Sequence, residues 1–356
     1  CSILEVSKAR YSLHMKRQGT AATTSRDKDR LQLMRPALLA PFVQYLDKQG
    51  CDSERLLKAY QLDRGDVAHN RGLISGGHVH ACLAEAARAT RNPQLGWQVG
   101  TSLDHWRYSL LQASLVDSNS VGDVLIHLVN TTDAHATATS YHLAIDNHYS
   151  RFWELRHYHS DHPGQADAFT LGLLYAMLQK CSGQDWAPAE LLLETSDPVL
   201  LPARLAARVA GPITGVALRI TLPTGWLRKK LMPRPTGLSN IRISEPIALD
   251  IKAYLESMLG PHLSNPDLDS QAAALQCGSS LASLNRALVQ EGSSVARVLR
   301  ELRLSTAARM LLDTDTPLPG IANAVGYRNV ASFSRAFRHW ASQSPGSYRG
   351  QVEQAT

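Results

Sequence analysis

Apolar positions along the chain recur first on a helical period. From Pro36, the residues Leu38, Leu39, Phe42 and Leu46 stand three or four apart, which predicts a helix closed by Gly50. Leu56, Leu57 and Tyr60 predict a short second helix, and Val79, Leu83, Ala86 and Ala87 a third that stops near Asn92-Pro93. Val121, Val124, Leu125 and Leu128 predict a fourth. The beat then changes to two between Tyr141 and His159. Phe152, Glu154, Arg156 and Tyr158 fall on one face and Trp153, Leu155 and His157 on the other, with Asp146-Asn147 as the turn of a hairpin. Ala166 to Gln179 returns to helix, and another helix is expected near 199–209. Leu191 to Glu194 and Val216 to Leu222 read as strands. Residues 36–232 therefore read as one α+β domain.

Pro233, Pro235, Gly237 and Ser239 mark a linker over 233–244. Beyond it, 245–356 reads as an all-α domain holding two similar units. The first runs from Leu268 to Glu291: a short helix with Ala272 and Leu275 inward, a break at Gly278, a cap at Ser279 or Ser280, and a helix with Leu281, Leu284 and Leu288 inward. The second runs from Leu318 to Trp340. Ile321, Ala322 and Val325 face a core, Gly326 turns the chain, and Phe333, Phe337 and Trp340 form an aromatic stripe expected in that core. Ala331, Ser334, Arg335 and Arg338 occupy the opposite face. Each unit is a helix, a short glycine-containing turn and a helix, the arrangement that sets a second helix in the major groove. Val295, Val298, Leu299, Leu302 and Met310 predict a long helix between them, Ser294 to Leu312. Nineteen residues at about 1.5 Å each span roughly 28 Å, close to the roughly 34 Å of one DNA turn. Such a helix can hold two readers in successive major grooves.

Composition sharpens this picture through its distribution. The chain has 356 residues and a net charge of +6. Eight basic residues against three acidic ones crowd residues 1–35, read as a flexible basic tail. Nine basic residues against four acidic ones lie in 270–350, and all nine are arginine, the side chain best suited to phosphate and guanine. The rest of the chain is net acidic. Five scattered cysteines without a CxxC pair exclude a disulfide framework or a structural zinc site and fit a reducing compartment. No apolar run is long enough to cross a membrane. Cys1-Ser2 would suit a lipidated terminus, but without a signal-peptide pattern an extended start is the expectation.

Three stretches carry a family resemblance. Ile321-Ala322-Asn323-Ala324-Val325-Gly326-Tyr327, Ser332-Phe333-Ser334-Arg335-Ala336-Phe337 and Ser344-Pro345-Gly346-Ser347-Tyr348-Arg349 look like the signature of AraC/XylS-type transcription regulators. The first unit resembles the same family more loosely, through Ala274, Gly278, Ser280, Leu284, Arg286 and Leu288. Mapped by position, Ala282, Asn285 and Arg286 resemble the base- or phosphate-contacting positions of the first reading helix. Val330, Ala331, Ser334 and Arg335 resemble those of the second, with Arg328, Asn329 and Arg338 beside them as further DNA-binding candidates. Arginine suits guanine, asparagine suits adenine, and alanine or valine can meet a thymine methyl. Two departures stand out. The stretch Ala341-Ser342-Gln343 lacks the glycine common in the family, and the first helix carries few basic residues on its outward face of Ala282, Asn285, Arg286 and Val289. The second unit is therefore expected to supply more of the affinity.

Asn92 to Gly100 and Ser118 to Asp123 are similar to the arabinose-binding-like N-terminal domain of one branch of that family. The resemblance implies effector sensing or dimerisation and names no effector. His157, His159 and His162, with His142 and His148 nearby, invite a metal reading, but no cysteine joins them and no metal is expected. GxSxG, HExxH, Walker and GxGxxG motifs are absent, so no enzyme and no cofactor are expected. Cys82 and Cys181 read as buried thiols. The expectation is a bacterial, cytoplasmic transcription activator bound to double-stranded promoter DNA. It would be a homodimer through its N-terminal domain, with RNA polymerase and a small-molecule effector as further partners. Two alternatives stay open at this stage: a ligand-independent regulator controlled by protein contacts, and an enzyme domain with a DNA-binding appendage.

Overall fold

The computed structural model describes residues 32–353 apart from 106–107, 109–113, 117, 133–135, 137, 157–160, 207–208, 211–215, 232–250 and 290. The expected linker and most of the expected basic tail lie outside the described residues. So do Tyr158 and two of the clustered histidines, His157 and His159.

The N-terminal half opens with a two-residue strand, β1 (Leu33–Met34), where the tail was expected to continue to residue 35. Helices α1 (Ala40–Lys48), α2 (Ser53–Lys58) and α3 (Arg64–His69) follow. Strand β2 (Ile74–Ser75) pairs antiparallel with β1, and α4 (Gly76–Ala89) begins at once, capped by the Ser75 hydroxyl. Next come α5 (Leu95–Ser102) and α6 (Val121–Thr131). Serine and aspartate caps set the starts of α2, α3, α4 and α6 by accepting otherwise orphaned backbone N–H groups. Asp63–Asp66 and Ser120–Asp123 do so reciprocally.

The hairpin falls where the two-residue beat placed it. β3 (Thr139–Ile145) pairs with β4 (Tyr149–Arg156), and Tyr141 stands opposite Glu154. Asp146 accepts from the backbone N–H groups of His148 and Tyr149 and so closes the turn. After α7 (Gly164–Ser182) and β5 (Leu192–Thr195), the helix expected near 199–209 shrinks to α8 (Ala203–Ala206). A 3-10 turn at Pro198–Leu200 precedes it and a short strand, β6 (Val209–Ala210), follows. Strand β7 (Leu218–Pro223) completes a five-stranded sheet of order β3-β4-β7-β5-β6, antiparallel except for β5-β6. Helix α7 is buried along most of its length against this sheet and against α5. A β-carbon on Gly96 would collide with the Gln165 backbone, so the two helices touch main chain to main chain.

The C-terminal half is helical: α9 (Ile251–Leu259), α10 (Ser270–Gln276), α11 (Leu281–Val289), α12 (Val295–Asp313), α13 (Leu318–Ala324), α14 (Val330–Ala341) and α15 (Pro345–Glu353). It has two separate cores. One gathers α9 to α11 around the first half of α12; the other gathers α13 and α14 around its second half. Helix α12 thus carries both units, as its length suggested. Two inward assignments change. Ala273, Ala274 and Cys277 are the buried residues of the α10 region, while Leu275 is 76% exposed and Ala272 only half-buried. Trp340 lies at the rim, 40% exposed, edge-on to Phe337.

Candidate nucleic-acid interface and ligand cavity

Both units have reader geometry. In the first, Gly278 takes a left-handed φ of +60° between α10 and α11, and Ser280 caps α11 by accepting from the Ser283 N–H at 3.1 Å. In the second, Gly326 takes φ +76° between α13 and α14, and Asn329 accepts from the Ser332 N–H at 2.8 Å. Phe333 and Phe337 are fully buried beneath α14, which turns Ala331, Ser334, Arg335 and Arg338 to the other side. Ala331, Arg335 and Arg338 are exposed, and Ser334 and Val330 half-buried. Arg335 and Arg338 make no hydrogen bond or ion pair with any described residue. On the first helix Ala282 and Arg286 are exposed.

Several candidates carry structural duties. Asn285 is half-buried, and its Oδ1 accepts from the Val295 N–H at 3.0 Å. That uses the oxygen a two-point contact to adenine requires. Asn329 is the α14 cap. Arg328 is ion-paired to Asp267, tying the turn of the second unit to the loop before α10. Other arginines of the window are architectural. Arg303 donates from α12 to the Asn265 and Leu268 carbonyls, both at 3.1 Å, and Arg349 donates to the Thr316 carbonyl at 2.6 Å. Ser342, where the family glycine is missing, ends α14 in a left-handed conformation of φ +59°. The turn is kept there without the residue that adopts it at least cost.

The N-terminal half encloses a cavity of about 130 Å³ between α4, α7 and the inner face of β3 and β4. Leucine and aromatic side chains make up half of its walls, and Tyr108, Tyr141, Glu154, His80 and four threonines, Thr131, Thr132, Thr139 and Thr170, bring polar groups to it. Behind Glu154, Arg156 is ion-paired to the buried Asp167, and Asp167 Oδ2 accepts from Ser196 Oγ at 2.8 Å. Burial pushes the Glu154 carboxyl up to about 7; Arg156 opposes the rise, Asp167 adds to it, and the hydrogen bond from Tyr141 opposes it. Burial also pushes the Asp167 carboxyl up and holds the His80 imidazole down at about 3, with Arg156 adding to the latter. No sequence motif could have marked this place, because its walls come from seven helices and strands far apart in the chain.

A carboxyl raised from 4.5 to about 7 binds its proton more tightly when folded. Its penalty on the folded state is absent at low pH and grows as pH climbs through that range. Glu154→Gln is therefore expected to flatten the fall in melting temperature between about pH 5 and about pH 8, with Asp167 retaining part of it. An equally steep fall in the variant would remove Glu154 as its cause. The other titratable candidates are quiet. Burial pushes the Cys82 and Cys277 thiols up to about 12, which leaves them protonated and unreactive near neutrality. Among the described residues no three His, Cys, Asp or Glu side chains gather as metal ligands; His142 instead stacks on Trp153. No helix among them is long and apolar enough to cross a membrane.

Two parts of the chain match known protein families. Residues 273–351 match the helix-turn-helix domain family, and residues 50–211 match the N-terminal arabinose-binding domain of the AraC transcription regulator. The chain is similar to the ornithine utilization regulator of Pseudomonas aeruginosa, 25% identical over 276 residues that span 72% of this chain and 78% of that protein. It is also similar to the transcriptional activator NphR of a Rhodococcus species, 32% identical over 95 residues, 27% of this chain and 28% of that one. Among solved structures, the transcriptional regulator CdpR from Pseudomonas aeruginosa aligns over 88% of this chain and 98% of its own, at 18% identity and a TM-score of 0.36.

Proposed function

This chain belongs to the AraC family of DNA-binding transcription regulators, and from that premise we propose that it is a ligand-responsive regulator. Residues 36–232 would sense a small molecule and form a homodimer, 233–244 would link, and 245–356 would read promoter DNA. The protein works in the cytoplasm as an activator, in contact with RNA polymerase, and has no enzymatic step. An apolar cavity with a few convergent polar groups favours this over a regulator governed only by protein contacts.

One observation carries the sensing role. Side chains of successive strand residues point to opposite faces, and β1 uses this to touch both functions. Met34 lines the cavity, while Leu33, 1% exposed, sits in the core of the first reading unit with Tyr254, Leu255 and Leu284. A second link runs beside it. Ser75 caps α4, the helix that brings Val79, His80 and Leu83 to the cavity. Its hydroxyl also occupies the space a β-carbon on Gly278 would need, at the turn of the first unit. His262, just before that unit, lies 2.7 Å from Gln61 and 2.8 Å from Gln276. Filling the cavity shifts the angle of the first reader, and the ligand acts by preferring one of the two arrangements.

For the DNA, α14 supplies the stronger contacts through Ala331, Ser334, Arg335 and Arg338, flanked by Arg328, Asn329 and Val330. Helix α11 adds Ala282, Asn285 and Arg286. Arg335→Ala is expected to weaken operator binding by about 1–3 kcal/mol if the guanidinium reads a base. A phosphate role instead shows as a salt slope shallower by about one unit. Fluorescence titration of promoter DNA at several salt concentrations separates the two, and an unchanged affinity removes Arg335 from the interface.

A further inference from the structure

The cavity has a charge deficit, and the deficit describes its ligand. We propose that it binds a small primary amine, held as the ammonium ion, with an apolar body about the size of a six-membered ring. This rests on the sensing role proposed above.

Two buried carboxyls, Glu154 and Asp167, face one guanidinium. Arg156 is ion-paired to Asp167, whose second oxygen is occupied by Ser196. Glu154, 7% exposed and projecting into the cavity, is left with a hydrogen bond from Tyr141. Among the described residues no lysine or arginine lines the cavity, and His80 is neutral there. A buried carboxylate without a full counter-charge is costly, and one positive charge inside the cavity balances the pair. A second group waits beside it. Tyr108 is 6% exposed and its buried hydroxyl has no hydrogen-bond partner among the described residues, so its oxygen can accept a further ammonium N–H. Phe42, Phe152 and Phe169 also line the cavity, and aromatic rings can attract a cation through their faces.

The same features exclude other ligands. An acid would bring a further negative charge beside Glu154 and Asp167, of which only Asp167 is ion-paired to Arg156. The volume of about 130 Å³ is close to the roughly 150 Å³ of an apolar cavity known to admit benzene.

Calorimetric titration of the full chain with benzylamine, benzyl alcohol and benzoate tests this. Benzylamine is expected to bind at least tenfold tighter than the alcohol, with benzoate weakest. Glu154→Gln should remove the preference for the amine and leave the alcohol's affinity unchanged. Tyr108→Phe, which keeps the ring and the fold, should weaken benzylamine about fivefold. Equal binding of alcohol and amine, stronger binding of benzoate, or no binding of any of the three overturns the amine assignment. Promoter affinity measured with benzylamine bound separates this from the sensing role. An amine held by Glu154 that leaves DNA affinity unchanged supports the site and overturns the sensing role.

Discussion

Phe337→Ala is expected to lose about 3–5 kcal/mol, the usual range for truncating a buried phenylalanine, and with it most of the order of the second reading unit. The ring is fully buried and touches three others: Phe333 at 5.7 Å, Trp340 at 5.7 Å and Tyr348 at 5.4 Å between centroids. The core it belongs to is small, made of Leu304, Ala307, Ala308 and Leu311 from α12 and a few residues of α13 and α14. Few neighbours are available to collapse into the space, so the cavity term remains large. Because that core is separate from the one around α9 to α11, the loss is local. Amide hydrogen exchange of the full chain should accelerate across 318–349 and stay near its original rate across 251–289. Promoter affinity should fall with it, since Arg335 and Arg338 ride on the helix that Phe337 anchors. Equal acceleration in both units would show that they unfold as one.

Gly326→Ala should be nearly as damaging, about 2–5 kcal/mol, for two reasons that can be separated. A left-handed backbone costs a residue with a β-carbon about 1–2 kcal/mol. The new methyl would also lie 3.0 Å from the Asn265 carbonyl oxygen and closer still to that of Leu263, both backbone atoms that cannot rotate away. Overpacking of this kind costs about 1–3 kcal/mol more. Gly292→Ala is the matched control. Gly292 also has a positive φ, +64°, but nothing lies within 4 Å of a β-carbon there. It should show the conformational cost alone. The two substitutions should differ in promoter binding as well as stability, because Leu263 and Asn265 belong to the segment leading into the first unit. If both variants lost the same stability, close approach at Gly326 would carry no energy of its own.

The readers were legible because their signals are local. Helix period, the Gly278 and Gly326 turns, and a serine cap at Ser280, one of the two serines offered, all act within a few residues, and the structure keeps each of them. The equally local cap at Asn329 reads from sequence only as a DNA contact. Inward faces were harder on short helices. Seven residues of α10 make two turns, and the periodicity pointed to Leu275 where the packing chose Ala273 and Ala274. Strand β1 carried no signal at all. Two residues have no measurable period, and their neighbours, basic and polar, suggested a tail.

Arginine shows the same division. All nine basic residues between 270 and 350 are arginine, and that much points to an anionic partner. Only packing separates those with structural partners, Arg303 on two carbonyls, Arg349 on a third and Arg328 on Asp267, from Arg335 and Arg338, which lie exposed on α14.

By itself, then, the order of residues determined a two-reader helical unit following an α+β domain, because periodicity, turns and caps are written in adjacent positions. Tertiary structure alone decided which arginines are available, that Glu154 and Asp167 share one guanidinium, and that β1 joins a cavity to a reader. Those facts are made by residues from 33 to 349 meeting in space. Their burial and charge balance exist only once the chain has closed around them.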